Sequence, residues 1–228
     1  MRPKEAFRLR PGTWDGVVYD QVYVRNEYGL PNQFDSRDVI LDIGGHIGCF
    51  ALSAIDRGAG TVLTAEPDRE NFRLLSENCA DSIREGKVIA IATAVVRSDS
   101  QASDSVLYDG YRMDNGLLNT AAGSTVRGKG ILVPAVQFDK LVDRALDSSG
   151  AQDIRLLKLD CEGAEWEILY TTKKLEKIVE IVGEYHNWGA SSGKGIVDLL
   201  AFLKAGGFVR VEYSPSEPYP QGHFRARR

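Results

Sequence analysis

From Val39 onward, short β-branched runs alternate with stretches whose apolar residues recur at helical spacing. βαβ units around a largely parallel sheet produce this pattern, because each strand is buried on both faces while each covering helix buries only one. Val39 to Ile43 is expected as the first strand, Ile47 to Asp56 as its helix, and Thr61 to Ala65 as a second strand ending at Glu66. Pro67 suits the first turn of the next helix, whose apolar face is Phe72, Leu75 and Cys79. Lys87 to Val96 reads as a third strand. Regular patterning then stops between Arg97 and Gly130, a stretch rich in Ser, Asp, Gly and Asn.

It resumes with a strand at Ile131 to Val136 and a helix displaying Phe138, Leu141, Val142 and Ala145. A strand at Ile154 to Leu159, a helix around Trp166 and Leu169, and a strand at Ile178 to Gly183 follow. Ile196, Leu199, Leu200 and Leu203 mark the last helix, stopped by Gly206-Gly207, and Phe208 to Tyr213 opens the closing strands. Ahead of this core, Val17 to Val24 alternates around Tyr19 and Tyr23 and reads as a short strand or hairpin. The expected organisation is an N-terminal extension over residues 1–36 and one α/β doubly wound domain over 37–228, with an insert at about 97–130.

Composition adds little. A chain with 43% hydrophobic residues and no apolar run long enough to span a bilayer predicts no membrane partner. The start, MRPKEAFRLRPGTW, lacks the apolar stretch of a secretion signal, so a cytoplasmic protein is expected. Cys49, Cys79 and Cys161 lack metal-ligand spacing and are expected as free thiols. A formal charge of −4 gives no general attraction to nucleic acid, so none is expected as partner; Arg225, Arg227 and Arg228 read as a short solvated terminus.

Two stretches carry chemistry. In VILDIGGHIGCFAL an apolar strand delivers Asp42, then Gly44, Gly45 and Gly48, and runs into a helix. Glycines let a ligand approach the backbone at a strand's carboxyl end, where open parallel sheets bind ligands. A carboxylate at Asp42 would repel a pyrophosphate but attract an ammonium, which favours a methionine-bearing methyl donor over a dinucleotide. His46 is read as contributing its backbone. Glu66 suits the two hydroxyls of a ribose, and Ala94, Val95 and Asp99 are candidates for an adenine pocket by position.

In LLKLDCEGAEWEIL, Lys158, Asp160, Glu162 and Glu165 crowd a strand end. A buried strand has no reason to finish so highly charged unless it opens into a site. Asp160 and Glu162 are expected on one side, while Glu165 caps the helix or faces solvent. IVGEYHNW places Glu184 and His186 beside them if the two strands are neighbours.

VILDIGGHIG, AEPDRENFRLLSEN, VPAVQFDKLVD and LLKLDCEGAEWEIL, in this order and spacing, resemble the FkbM family of class I methyltransferases over roughly Asp38 to Trp188. The resemblance implies a Rossmann-like seven-stranded sheet with the last strand antiparallel, S-adenosylmethionine as cofactor, and O-methylation of a hydroxyl on a sugar or natural product. It implies that Asp42, Gly44, Gly45, Gly48 and Glu66 bind the donor and that Asp160 and Glu162 lie at its methyl group.

Asp160 and Glu184 are the expected ligands of a divalent cation such as Mg2+ that lowers the acceptor hydroxyl pKa, with His186 as ligand or base. Without a metal, His186 or Asp160 acts as general base and Lys158 steadies developing charge. The rival readings are a nicotinamide-dependent oxidoreductase and a non-catalytic donor-binding module. Tyr19, Tyr23 and Tyr28 are expected to cover the donor pocket or to pair with a second subunit in a homo-oligomer.

Overall fold

Strand β1 (Val39–Ile43) is buried along its whole length and forms the axis of the molecule. A computed structural model describes residues 2–99, 104–110, 112–114, 116–126, 129–190, 194–216 and 221–228. Before β1, helix α1 (Asp15–Val18) continues into a π-helical turn, Tyr19–Val24. After it come α2 (Cys49–Asp56), β2 (Thr61–Ala65), α3 (Arg69–Asn78), α4 (Ala80–Arg84), β3 (Val88–Ile91), β4 (Ala94–Val96), β5 (Ser105–Tyr108), β6 (Arg112–Asp114) and β7 (Leu117–Asn119). The second half holds β8 (Ile131–Gln137), α5 (Phe138–Ser149), β9 (Leu156–Leu159), α6 (Glu165–Thr171), β10 (Glu180–His186), α7 (Ile196–Ala205), β11 (Arg210–Pro215) and β12 (Gln221–Arg227).

The main sheet has seven strands in the order β11-β12-β10-β9-β1-β2-β3. Its pairings are parallel except those of β12, the last strand of the chain, which lies antiparallel between β10 and β11. The expected doubly wound sheet with an antiparallel last strand is therefore present. Leu41 of β1 sits opposite Leu63 of β2 on one side and Leu157 of β9 on the other. Successive connections leave β1 in opposite directions, so its carboxyl end is the topological switch point where such sheets bind ligands.

Alternation along β1 splits the core. Leu41 and Ile43 face Phe138, Trp166 and Leu199, whereas Ile40 faces Phe50, Leu75 and the N-terminal Phe7, Tyr19 and Tyr23. The extension thus shares a hydrophobic core with the domain.

Several local expectations are corrected. Val17 to Val24 is helical. The spacing of Tyr19, Val22 and Tyr23, all buried, is also that of one helix face, and Phe7 meets both tyrosine rings edge-on at 4.8 and 4.9 Å. Buried in this way, Tyr19 and Tyr23 offer no surface for a second subunit. Lys87 to Val96 is two strands: Thr93 N–H turns back on Ile91 C=O at 3.0 Å, and β4 leaves to pair with β8 in a separate sheet, β4-β8-β5. The 97–130 interval carries β5, β6 and β7, and residues 100–103, 111, 115, 127 and 128 of it lie outside the described residues. The basic terminus is held by specific partners, although Arg228 remains exposed. Arg225 and Arg227, on β12, pair with Glu180 of β10 at 2.9 and 2.8 Å, and Arg228 donates to Ile178 and Leu175 carbonyls. No described helix is long and apolar enough to cross a membrane, and the three cysteines are free.

Candidate active site

At the end of β1 the chain turns sharply, with both Gly44 N–H and Gly45 N–H donating to Ala65 C=O at 3.0 Å. A Cβ on Gly44 (φ +84°) would lie 1.9 Å from Asp160 C=O, and one on Gly45 would lie 2.2 Å from Thr64 Oγ1. These glycines are required sterically, since nothing larger lets the turn sit against β2 and β9. Gly48, at φ +88°, opens α2 two residues later than the apolar pattern indicated.

His46, also left-handed at φ 47°, donates its backbone N–H to Glu66 Oε2 at 2.8 Å, as expected of its backbone. Glu66 Oε1 accepts Asp68 N–H at 2.8 Å, and burial pushes this carboxyl up to about 8. Glu66 lines a cavity together with Pro67, Ala94, Val95, Tyr108 and Thr120. Ala94 and Val95 are where an adenine pocket was expected. Asp99 is elsewhere, paired with Arg97 at 2.6 Å.

Asp42 does not reach the wall of this cavity or of the wider one next to it. It is fully buried, accepts Thr64 O–H at 2.9 Å, and lies 3.3 Å from Lys158 Nζ. The ammonium expected beside Asp42 is therefore the chain's own. Lys158 also donates to Gly44 C=O at 2.6 Å. Burial opposes its charge, yet Asp42 and Asp160 hold its pKa above the ordinary lysine value. The pair Asp42–Lys158 braces the glycine turn from behind.

The wider cavity opens over β9 and β10, whose pairing (Gly183 opposite Leu159) meets the condition the sequence left open. Asp160 borders both cavities. Its Oδ2 accepts Tyr28 O–H at 2.9 Å, and against the cost of burial the nearby Lys158 keeps its pKa low. Strand β9 ends at Leu159, so Asp160 and Glu162 do not share a strand face; Glu162 takes a left-handed turn at φ 53° and anchors Ser124 O–H through its carbonyl. Glu165, the first residue of α6, ties down the loop before the helix, accepting Cys161 N–H and Gly163 N–H, both at 2.9 Å.

Glu165 Oε1 also accepts His186 Nδ1 at 3.0 Å. His186 Nε2 lies 3.8 Å from Glu162 and 4.0 Å from Glu184. Burial disfavours its charge, but Glu165, then Glu162 and Glu184, lift its pKa to about 10. An imidazolium has no lone pair to receive a proton, which counts against the expectation of His186 as base. Glu184, by contrast, is pushed up to about 8 by burial and then by Asp160, and accepts Gln221 Nε2 at 2.8 Å.

Residues missed by the sequence reading complete this wall. Glu27 is pushed up to about 7 by burial and Asp160. His223, opposite Glu184 on β12, has its pKa lowered by burial. Trp188 packs 4.6 Å from His186, while Tyr28, which the sequence did single out as a cover for the donor pocket, bonds Asp160. The N-terminal extension and the insert do reach the site, since Trp14, Gln21, Glu27, Asn119 and Ala122 all line the wider cavity.

For a cation, the donor atoms of Asp160, Glu165 and His186 lie within 4.8 Å of one another. The expected partner Glu184 is not in that trio, and both oxygens of Glu165 already accept backbone N–H groups.

A sequence model of the methyltransferase FkbM domain matches residues 42–210. The chain is 26% identical over 219 residues to the AMB antimetabolite synthetase AmbE of Pseudomonas aeruginosa, covering 82% of this chain but only 10% of that protein's length. Among solved structures it resembles the methyltransferase FkbM from Methylobacillus flagellatus KT (TM-score 0.54, 16% identity, 92% of this chain and 48% of that one). It also resembles a precorrin-6y C5,15-methyltransferase from Geobacter metallireducens GS-15 (TM-score 0.49, 11% identity, 99% and 95%).

Proposed function

We propose that this chain, which belongs to the family of FkbM methyltransferase domains, transfers a methyl group from S-adenosylmethionine to a hydroxyl of a small molecule. One observation carries the reading: Asp160 borders both the cavity holding Glu66 and the wider, carboxylate-lined cavity, so donor and acceptor would meet at its side chain. The fit to the donor rests on the glycine turn at the end of β1, where Gly44 and Gly45 border the wider cavity, and on Glu66, whose remaining lone pairs suit a ribose. When bound, the donor supplies a methyl carbon on a sulfonium, so that the new C–O bond forms as the C–S bond breaks and sulfur keeps the electron pair.

The chain's residues then have an acceptor to align and one proton to remove. Asp160, ionised and steadied by Tyr28 and Lys158, orients the hydroxyl. Glu184, whose pKa is raised to about 8, takes the proton in its ionised form, which becomes the major form only as pH rises past that value. His186 remains protonated and holds Glu162, Glu165 and Glu184 in place, and Lys158 is committed to the glycine turn. Similarity to a segment of an antimetabolite synthetase supports a specialised small-molecule acceptor.

A second reading retains the divalent cation, favoured by the closeness of Asp160, Glu165 and His186. His186 would have to lose its proton and Glu165 a backbone partner, so the cation-free reading needs less rearrangement.

The test combines calorimetric titration of S-adenosylhomocysteine with a screen of hydroxylated small molecules, sugars included, read by mass spectrometry for one added methyl. Binding with methyl gain on oxygen is expected. Binding without any acceptor across a broad screen would favour the donor-binding module, and NADH binding in place of S-adenosylhomocysteine would overturn the assignment.

A further inference from the structure

Among the described residues, His46 Nδ1 is a buried side-chain nitrogen with no hydrogen-bond partner. The ring stands on the donor turn and borders both cavities. A buried polar atom left alone is costly. Whether this one is an N–H or a bare lone pair follows from the groups behind it.

Arg10 donates to Asp15 through Nε and Nη2, each at 2.8 Å. Asp15 is fully buried; burial alone would raise its pKa, but the Arg10 bonds hold it below the ordinary carboxylate value, so it only accepts. Thr120 Oγ1 lies 2.9 Å from Asp15 Oδ1 and 2.9 Å from His46 Nε2. Its hydroxyl has one hydrogen. A carboxylate outcompetes a neutral imidazole for it, so Thr120 donates to Asp15 and accepts from His46. Burial pushes His46 down to about 4, leaving one ring proton near neutral pH. That proton is on Nε2, and Nδ1 is a bare acceptor.

We infer that His46 Nδ1 accepts a hydrogen bond from a hydroxyl or ammonium of the bound methyl donor, with its tautomer set by a relay running Arg10, Asp15, Thr120, His46. The inference rests on the proposed donor reading and deepens it. Asp42 is shut behind the turn and does not reach either cavity, whereas His46 lines both and is tethered on the turn by its own N–H to Glu66. The relay also draws in two segments outside the main sheet. Arg10 and Asp15 precede the matched residues, and Thr120 belongs to the insert. Both segments would then tune donor affinity as well as line the acceptor side.

The test uses the full chain and S-adenosylhomocysteine. Nitrogen NMR of histidine-labelled protein should show His46 Nδ1 unprotonated, with its resonance moving toward the protonated range on saturation. Calorimetry should show affinity lowered by roughly tenfold in Thr120→Val, the scale of one lost buried hydrogen bond. Thr120→Ser should bind close to wild type, and His46→Asn, which tolerates the left-handed backbone and presents a carbonyl near the Nδ1 position, should bind better than His46→Leu. A protonated Nδ1 in the free protein, a resonance unmoved at saturation, or wild-type affinity in Thr120→Val would each overturn the relay. Absence of any binding by wild type would instead remove the donor reading, so the two failures are distinct.

Discussion

Glu165 and His186, from two neighbouring strand-to-helix segments, meet at 3.0 Å with both side chains almost fully buried. Glu165 also caps the turn before α6, so one carboxylate orders the Asp160–Gly163 loop and fixes the imidazole. Replacing it strands a buried cation. Glu165→Gln should lower stability by about 3–5 kcal/mol, the range for breaking a buried pair from one side. Denaturant unfolding measures this, and a change no larger than that of a surface control would argue against the coupling.

The pair also sets a pH window. His186 titrates near 10 in the folded chain, above the ordinary imidazole value of about 6.5. Its stabilisation is therefore complete below about pH 6.5 and fades as pH rises through about 10. Melting temperature should fall across that window more steeply in wild type than in His186→Gln. Parallel curves for the two proteins would exclude His186 as the source.

Gly45 is the steric gate of the donor turn. In Gly45→Ala the new methyl would lie 2.2 Å from Thr64 Oγ1 and 2.7 Å from Leu75 Cδ1, so the turn must move away from β2. S-adenosylhomocysteine affinity is expected to fall at least roughly tenfold while the fold survives in circular dichroism, an order set by a displaced backbone hydrogen-bond frame. Unchanged affinity would place the donor elsewhere.

Glu66 should make donor binding pH-dependent. Only the ionised carboxylate accepts from both its backbone partners and two ribose hydroxyls, and this group titrates at about 8. Affinity for S-adenosylhomocysteine should rise as pH passes upward through about 8, with proton release on binding below that point. Glu66→Gln should bind more weakly and without this slope. A wild-type profile as flat as the variant's would contradict the assignment.

For the chemical step, Glu184→Gln should reduce kcat by roughly 10²–10⁴-fold, the usual contribution of a general base, with donor affinity retained. Asp160→Asn should raise acceptor KM as well. Turnover should persist in excess chelator, and its loss there, restored by Mg2+, would establish the cation reading in place of the one proposed.

The alternating runs from Val39 to Gly183 carried the sheet because burial on both faces leaves a direct trace in sequence. The glycine turn was equally legible, since Gly44 and Gly45 are demanded by local sterics. Patterns that two periodicities share were less so: Tyr19, Val22 and Tyr23 fit a helix face as well as a strand, and only packing on Phe7 selects the helix. Lys87 to Val96 is continuous in hydrophobicity, yet its break at Thr93 depends on which partner strands stand on either side.

The sequence by itself determined the alternating strands and helices of an α/β fold and the glycine turn at the end of β1, and it grouped Asp160 and Glu162 with Glu184 and His186 on the condition that their two strands are neighbours, because period marks strand ends but not strand order. Only the tertiary structure decided what each charge does. Lys158, not a ligand, neutralises Asp42; Glu165 turns inward to His186; Tyr28 and His223 arrive from distant segments at Asp160 and opposite Glu184. Ionisation depends on burial and on neighbours within a few ångströms, and those neighbours come from parts of the chain that no local pattern connects.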